Sequence, residues 1–216
     1  MLVCVPNPAL PDAVTALAQA PLKWAGKIVV LCDSTEDSSA LRPIRELGAA
    51  VASLTPVAGP LPRFIVEGDR PAVREAKNFV RDLRGYAVEL NSEKLALYMA
   101  GVSFGSCLFI PLAAACVECM AGASGSTLDA MKIADSLYQR WLRAYVHAGK
   151  KCWSGPLAWG DETAVFRELE ALRKADPRLE RLYREIAAFA LEWSKRHPAL
   201  LRRLRDTNRA PAAGAD

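Results

Sequence analysis

Proton transfer near neutral pH is above all histidine chemistry, and this 216-residue chain holds only two histidines, His147 and His197. Thiol chemistry has more material: Cys4, Cys32, Cys107, Cys116, Cys119 and Cys152. Cys116 and Cys119 form a C-x-x-C, the spacing that redox and zinc chemistry use. They fall inside a long apolar run with no second ligand pair nearby, so both read as buried small hydrophobes, and no metal site is expected. The six cysteines lack the spacing of a stapled small domain and no charged-then-apolar leader precedes them; we read them as reduced, in a cytoplasmic protein. A phosphate-cradling G-x-G-x-x-G turn occurs nowhere. Gly122-Ala123-Ser124-Gly125-Ser126-Thr127 sets two glycines before a helix, but it follows a helical stretch, lacks a phosphate-binding lysine and reads as a turn with a cap.

Composition narrows the setting. With 51% hydrophobic and 24% charged residues the chain can bury a sizeable core, and its net charge of +4 comes without a basic tract interleaved with aromatics, so nucleic acid is not an expected partner. Leu95 to Val117 carries one charge-free apolar run long enough by count to cross a bilayer. Gly101, Ser103, Gly105, Ser106 and Pro111 dilute it and no aromatic belt bounds it; we read a buried helix of a helical domain or dimer core, and no membrane partner.

These residues need elements to hold them. Up to about residue 90, short apolar runs alternate with helical stretches, the pattern of a parallel α/β layer. Strands are expected at Leu2–Val5, Lys27–Cys32, Ala50–Leu54, Arg63–Val66 and Tyr86–Leu90. Helices are expected at Asp12–Ala20, at Ser38–Leu47 before Gly48, and at Pro71–Leu83, closed by Gly85. From Asn91 the period is helical throughout. Ser126 caps one helix running to about His147, Gly149 to Gly160 is irregular, Asp161 caps a helix to Lys174, and Asp176-Pro177 opens a last long helix. Leu179, Leu182, Tyr183, Ile186, Phe189 and Trp193 form its expected core face, with Glu180–Arg184 and Arg181–Glu185 paired on the exposed side. The expected domains are 1–90, 91–198 and a basic, then flexible tail, 199–216, with Arg202, Arg203, Arg205 and Arg209.

Seven short stretches resemble a bacterial Rossmann-like family of unknown function related to pyrroline-5-carboxylate reductase: VPN (Val5–Asn7), VVLCDS ending at Ser34, SLTP (Ser53–Pro56), FIVEGD (Phe64–Asp69), LYMAG (Leu97–Gly101), SGPLAWGD (Ser154–Asp161) and ADPRLERLYR (Ala175–Arg184). The resemblance implies an α/β plus all-α fold: the C-terminal half of a Rossmann-type sheet, then a helical domain of the 6-phosphogluconate dehydrogenase C-terminal type. It implies NADP or NAD as cofactor, a first strand and glycine loop upstream of Met1, and a homodimer through the helical domain. Ligands of open α/β sheets bind beyond the carboxyl ends of strands. That places Asn7 and Ser34 as cofactor-side candidates, and Thr55, Tyr98, Met99 and Ser154 as substrate-cleft candidates. Bland roles compete: Asn7 and Ser34 as turn residues, Tyr98 as core, Asp161 as a helix cap.

The chain departs from the family where proton transfer would sit. Cys32, Thr55 and Met99 stand at positions commonly histidine in the family, Cys107 at an asparagine, and Trp159 at the arginine before Gly160-Asp161. No catalytic residue is assigned. The expectation is a divergent oxidoreductase-like protein, non-catalytic or partner-dependent. Its rivals are an active NAD(P)-linked reductase whose glycine-loop half lies upstream or in another chain, and a dimeric scaffold.

Overall fold

Val29, Val30 and Leu31 alternate their side chains across both faces of strand β2 (Ile28–Leu31) and are buried on each, so a layer must cover both sides of the sheet. The computed structural model describes residues 1–33, 35–57, 59 and 61–206. Its sheet has five strands in the order β1 (Leu2–Val3), β2, β3 (Ala50–Val57), β4 (Arg63–Gly68), β5 (Tyr86–Glu89). On one face, helices α1 (Leu10–Gln19) and α2 (Arg42–Glu46) cover Val3, Val29, Leu31 and Val51, with Leu41 and Ile44 fully buried. Burial of this kind contributes roughly 2 kcal/mol per large aliphatic side chain. On the other face α3 (Arg70–Asp82) lays Ala72, Val73, Ala76 and Val80 over Val30, Ala52, Leu54 and Val66.

The sheet is mixed rather than parallel throughout. β1–β2, β2–β3 and β4–β5 are parallel, whereas β3 and β4 run antiparallel from Ala52↔Gly68 to Val57↔Arg63. Residues 58–62 are too few for the crossover that a parallel pair needs, so β3 and β4 form a hairpin. The stretch read as one helix from Ser38 is a 3-10 turn (Ser38–Leu41) leading into α2. Gly85 does not close α3 by turning left-handed. Arg84 takes that conformation, with φ 56°, while a Cβ on Gly85 would meet the Pro62 carbonyl at 2.7 Å, so glycine is needed there for close approach.

The chain forms two compact units, 1–109 and 110–216. α4 (Ser92–Phe104) therefore goes with the sheet by packing, and Leu95 is its buried residue. Expected to be one buried helix, the charge-free run breaks at Gly105 and resumes as α5 (Phe109–Ser124), in which no residue is buried. By length and composition the span Ser92–Ser124 passes for a membrane segment, and its most apolar window is not buried within the chain. The reading of Cys116 and Cys119 as buried fails for the same reason: Cys116 is half-buried and Cys119 exposed, on a helix that nothing in its own unit fully covers.

The second unit continues with α6 (Thr127–Ala148), α7 (Pro156–Trp159), α8 (Glu162–Ala175), α9 (Pro177–Ser194) and α10 (Pro198–Arg205). Its core gathers Val165, Leu169, Ala187, Leu191, Leu200 and Leu204. α9 thus keeps only part of the face its sequence suggests: Tyr183 packs against this core and Leu179, Leu182 and Trp193 are half-buried, but its most buried residues lie beside that stripe. α8 and α10 cover Ala187 and Leu191, with Tyr183 packed against them, leaving Ile186 41% and Phe189 67% exposed. Glu180 and Arg184 pair as expected but are half-buried, because Arg184 also donates to the Leu204 carbonyl at 3.0 Å. Residues 198–205 form a packed helix, with Arg203 paired to Glu162 and Arg205 to Glu192. Arg209 and the expected flexible tail lie outside the described residues.

Candidate functional site

The carboxyl ends of β1 and β2 bring Asn7 beside the turn that follows β2. Asn7 Nδ2 donates to Thr35 Oγ1, and Asn7, Leu10, Val14, Thr15, Glu36 and Pro43 line a cleft of about 380 Å³. Ser34 lies outside the described residues. Asp33, buried, accepts from the Thr35 amide at 2.7 Å, the Glu36 amide at 2.9 Å and Thr35 Oγ1 at 3.1 Å. The turn's amides therefore point at the chain's own carboxylate. Beside it, burial first, then Cys4 and the Asp33 charge push the Cys32 thiol up to about 11.

A second cleft of about 390 Å³ opens beyond the β3–β4 hairpin, lined by Val57, Arg63, Ile65, Arg84, Tyr86 and Tyr98 among others. Tyr98 reaches it from α4. Met99, half-buried, lines neither cleft. Thr55, paired with Ile65 across the hairpin, is buried, and its Oγ1 has no hydrogen-bond partner.

Beneath this cleft sits a residue that sequence reasoning missed. Glu67 is fully buried on the same face of β4 as Ile65. It accepts from the Ser38 amide at 2.7 Å, Ser38 Oγ at 2.9 Å, its cross-strand partner Ser53 Oγ at 2.6 Å, and Ser92 Oγ. One carboxylate thereby ties the end of the β2 connection, the centre of the sheet and the first turn of the helix that carries Tyr98. The available signal was an acid inside FIVEGD, in phase with an inward-facing isoleucine and opposite a serine.

In the helical unit Ser154 lines a cleft of about 330 Å³ with Trp141, Tyr145, Cys152, Trp153 and Trp193. The motif around Ser154 is largely backbone architecture. Pro156 opens α7, Gly160 closes it left-handed at φ 75°, and the Asp161 carboxylate caps α8 through the Ala164 amide at 3.0 Å. Gly160 also makes room for His197: a Cβ there would lie 2.7 Å from the ring's Cε1, and His197 Nε2 is 3.0 Å from the Ala158 carbonyl. Tyr183 donates to Glu168 at 2.6 Å, and burial raises its phenol above the usual range. On α6, burial and the Cys116 thiol push Tyr138 up to about 12.

A dinucleotide's pyrophosphate wants free backbone amides at a strand-to-helix turn. None of these turns offers a glycine cradle among the described residues. After β1, Pro6, Pro8 and Pro11 remove donors. After β2 the amides serve Asp33, Asp37 and Glu67. After β4 the Asp69 amide serves the Val51 carbonyl, and before α4 Asn91 takes the Glu93 amide. Acidic Asp33 and Glu36 would also repel a phosphate. The group does not fit these turns.

The five-stranded mixed sheet followed by a mainly helical region is a fold shared with several solved structures. The chain is similar in fold to protein TM1727 from Thermotoga maritima, with a TM-score of 0.69 at 17% identity over 94% of this chain and 78% of that one. A reductive aminase from Aspergillus terreus in complex with NADPH and ethyl-5-oxohexanoate has a TM-score of 0.62 at 12% identity, over 94% and 78%. The pyrroline carboxylate reductase of Plasmodium falciparum, with NADP bound, has 0.56 at 12%, over 93% and 80%. No curated protein matches in sequence. Residues 63–189, more than half the chain, match the domain of unknown function DUF2520, and the protein belongs to that family.

Proposed function

We propose that this protein is a divergent, non-catalytic or partner-dependent member of the NAD(P)-linked oxidoreductase architecture. One observation carries the reading: the turn after β2 and the turn before α4 spend amides on Asp33, Asp37, Glu67 and Asn91, within the chain. The residue types agree, since both histidines fall in the helical unit and His197 packs against Gly160 and the Ala158 carbonyl. Tyr98, Arg63 and Arg84 leave the sheet-unit cleft able to hold an anionic ligand without an acid–base pair tuned near neutral pH. NADP, which is bound in the pyrroline carboxylate reductase structure, or NAD would then be held weakly or through groups from another chain.

The same reading makes the protein a soluble cytoplasmic homodimer. Ile110, Leu112, Leu128, Met131 and Ile133 are exposed on α5 and α6, and a second copy is the simplest cover for so much apolar surface. A partner-completed reductase is the second reading, supported by β1, which pairs with β2 on one side and forms the sheet edge.

Calorimetric titration of the purified chain with NADPH and with NADH tests the proposal, alongside light scattering for mass. The expected result is a dimer with no micromolar binding of either dinucleotide. Micromolar binding by the chain alone would end the cofactor part of the reading, and a monomer would end the dimer part.

A further inference from the structure

Three of the five tryptophans converge in the helical unit, although they lie far apart in the chain. Trp141 comes from the last part of α6, Trp153 from the connection before α7 and Trp193 from the end of α9. The Trp153 and Trp193 rings meet edge to face, their centroids 6.1 Å apart at 79°. With Tyr145, Gly149, Cys152 and Ser154 they enclose about 330 Å³, near the lower end of the size range of small-molecule sites, which suits one or two fused rings.

An aromatic cage is usually a trap for cations. Here the chain has supplied its own. Lys150 Nζ lies 4.4 Å from the centre of the Trp193 ring and donates to the Trp193 carbonyl at 3.2 Å. Arg196 stands 6.0 Å over Trp153. Among the described residues neither cation has an ion-pair partner, unlike Arg184, Arg203 and Arg205 in the same unit. An ammonium carries three donors, so Lys150 keeps donors to spare. Incoming cations would be repelled, and an apolar ring alone would leave that charge unused.

We propose that this pocket binds a small planar aromatic anion, such as an aryl carboxylate, with its ring among Trp141, Trp153 and Trp193 and its charge at Lys150 and Arg196. Ser154 supplies a hydroxyl at the rim. The site stands apart from the sheet-unit cleft and holds whether or not a dinucleotide binds there.

The test uses the full chain with indole nitrogens labelled, titrated with 1-naphthoate, its neutral alcohol 1-naphthalenemethanol and the cation 1-naphthylmethylamine. Naphthoate is expected to saturate while shifting the indole resonances of Trp141, Trp153 and Trp193 and leaving Trp24 in place. Its affinity should fall about fivefold in Lys150→Gln, the size of a partly exposed charge contact. Arg196→Gln should act in the same direction, and decides the question if Lys150→Gln melts early. Naphthalenemethanol should bind more weakly than naphthoate. Equal or tighter binding of the amine, unchanged affinity in both variants, or shifts confined to other residues would overturn the site. So would saturation by a thymidine oligonucleotide where naphthoate fails, which would make this a nucleic-acid surface.

Discussion

The two units solve burial in opposite ways. All the buried polar or charged residues among those described, Asp33, Ser38, Ser53, Thr55 and Glu67, lie in the sheet unit. Most of them are satisfied by their neighbours. The helical unit buries no polar residue among those described; it packs alanine, valine and leucine inside and leaves Ile110, Leu128, Met131, Leu142, Val146 and Phe189 exposed. A sheet unit that satisfies its own polar groups needs little from outside. A helical unit with small residues inside and large apolar ones outside leaves apolar surface that, on the two proposals above, a second copy on its helices and a ring in its tryptophan pocket would cover.

The contrast breaks most sharply at Glu67. Glu67→Ala strands two serine hydroxyls and a backbone amide that are buried with it, and we expect a loss of about 3 kcal/mol in urea unfolding. Four of the five tryptophans belong to the helical unit, so their near-ultraviolet dichroism should survive the substitution under native conditions. A loss below about 1 kcal/mol would mean that the polar centre does not hold the sheet unit together.

Gly160→Ala probes the helical unit where backbone, not polar bonding, is the constraint. The new methyl meets the His197 ring and strains a left-handed residue, at an expected cost of about 2 kcal/mol. Adding His197→Ala should recover part of that cost. If the double variant is as unstable as the sum of the two single ones, the ring is not what excludes the methyl.

The smallest effect is a titration. Burial, then Cys4 and Asp33, raise Cys32 from 9.0 to about 11, so the folded chain keeps a proton that the unfolded thiol releases. Its contribution to stability is full below 9.0 and declines as pH climbs toward about 11. Alkylation of Cys32, followed by peptide mass spectrometry, should still accelerate as pH passes 9.0. A rate already level at that pH would place the thiol in ordinary solvent.

Local signals were legible where local physics decides. The apolar run at Ile28–Leu31, the caps Ser126, Asp161 and Asp176, and the proline that opens α9 all act within a few residues of themselves. Asn7 and Tyr98 were found by their position after a strand and within a family motif, and each lines a cleft in the sheet unit, though not the same one. Glu67 stayed hidden because its donors come from residues 29, 14 and 25 positions away. α9 was misread in part because an amphipathic helix can show two apolar stripes, and only the arrival of α8 and α10 decides which is buried deepest.

By itself, the sequence determined the kind of chain this is: strands and helices alternating to about residue 90, helices after it, two histidines, and the motifs of its family. Tertiary structure alone decided that β4 turns back on β3, that the long apolar run is left uncovered within the chain, and that three distant tryptophans line one pocket, with Lys150 and Arg196 over two of their rings. Propensity and capping act over a turn or a strand, whereas burial and charge pairing depend on which surfaces meet, and that is settled only when the whole chain has folded.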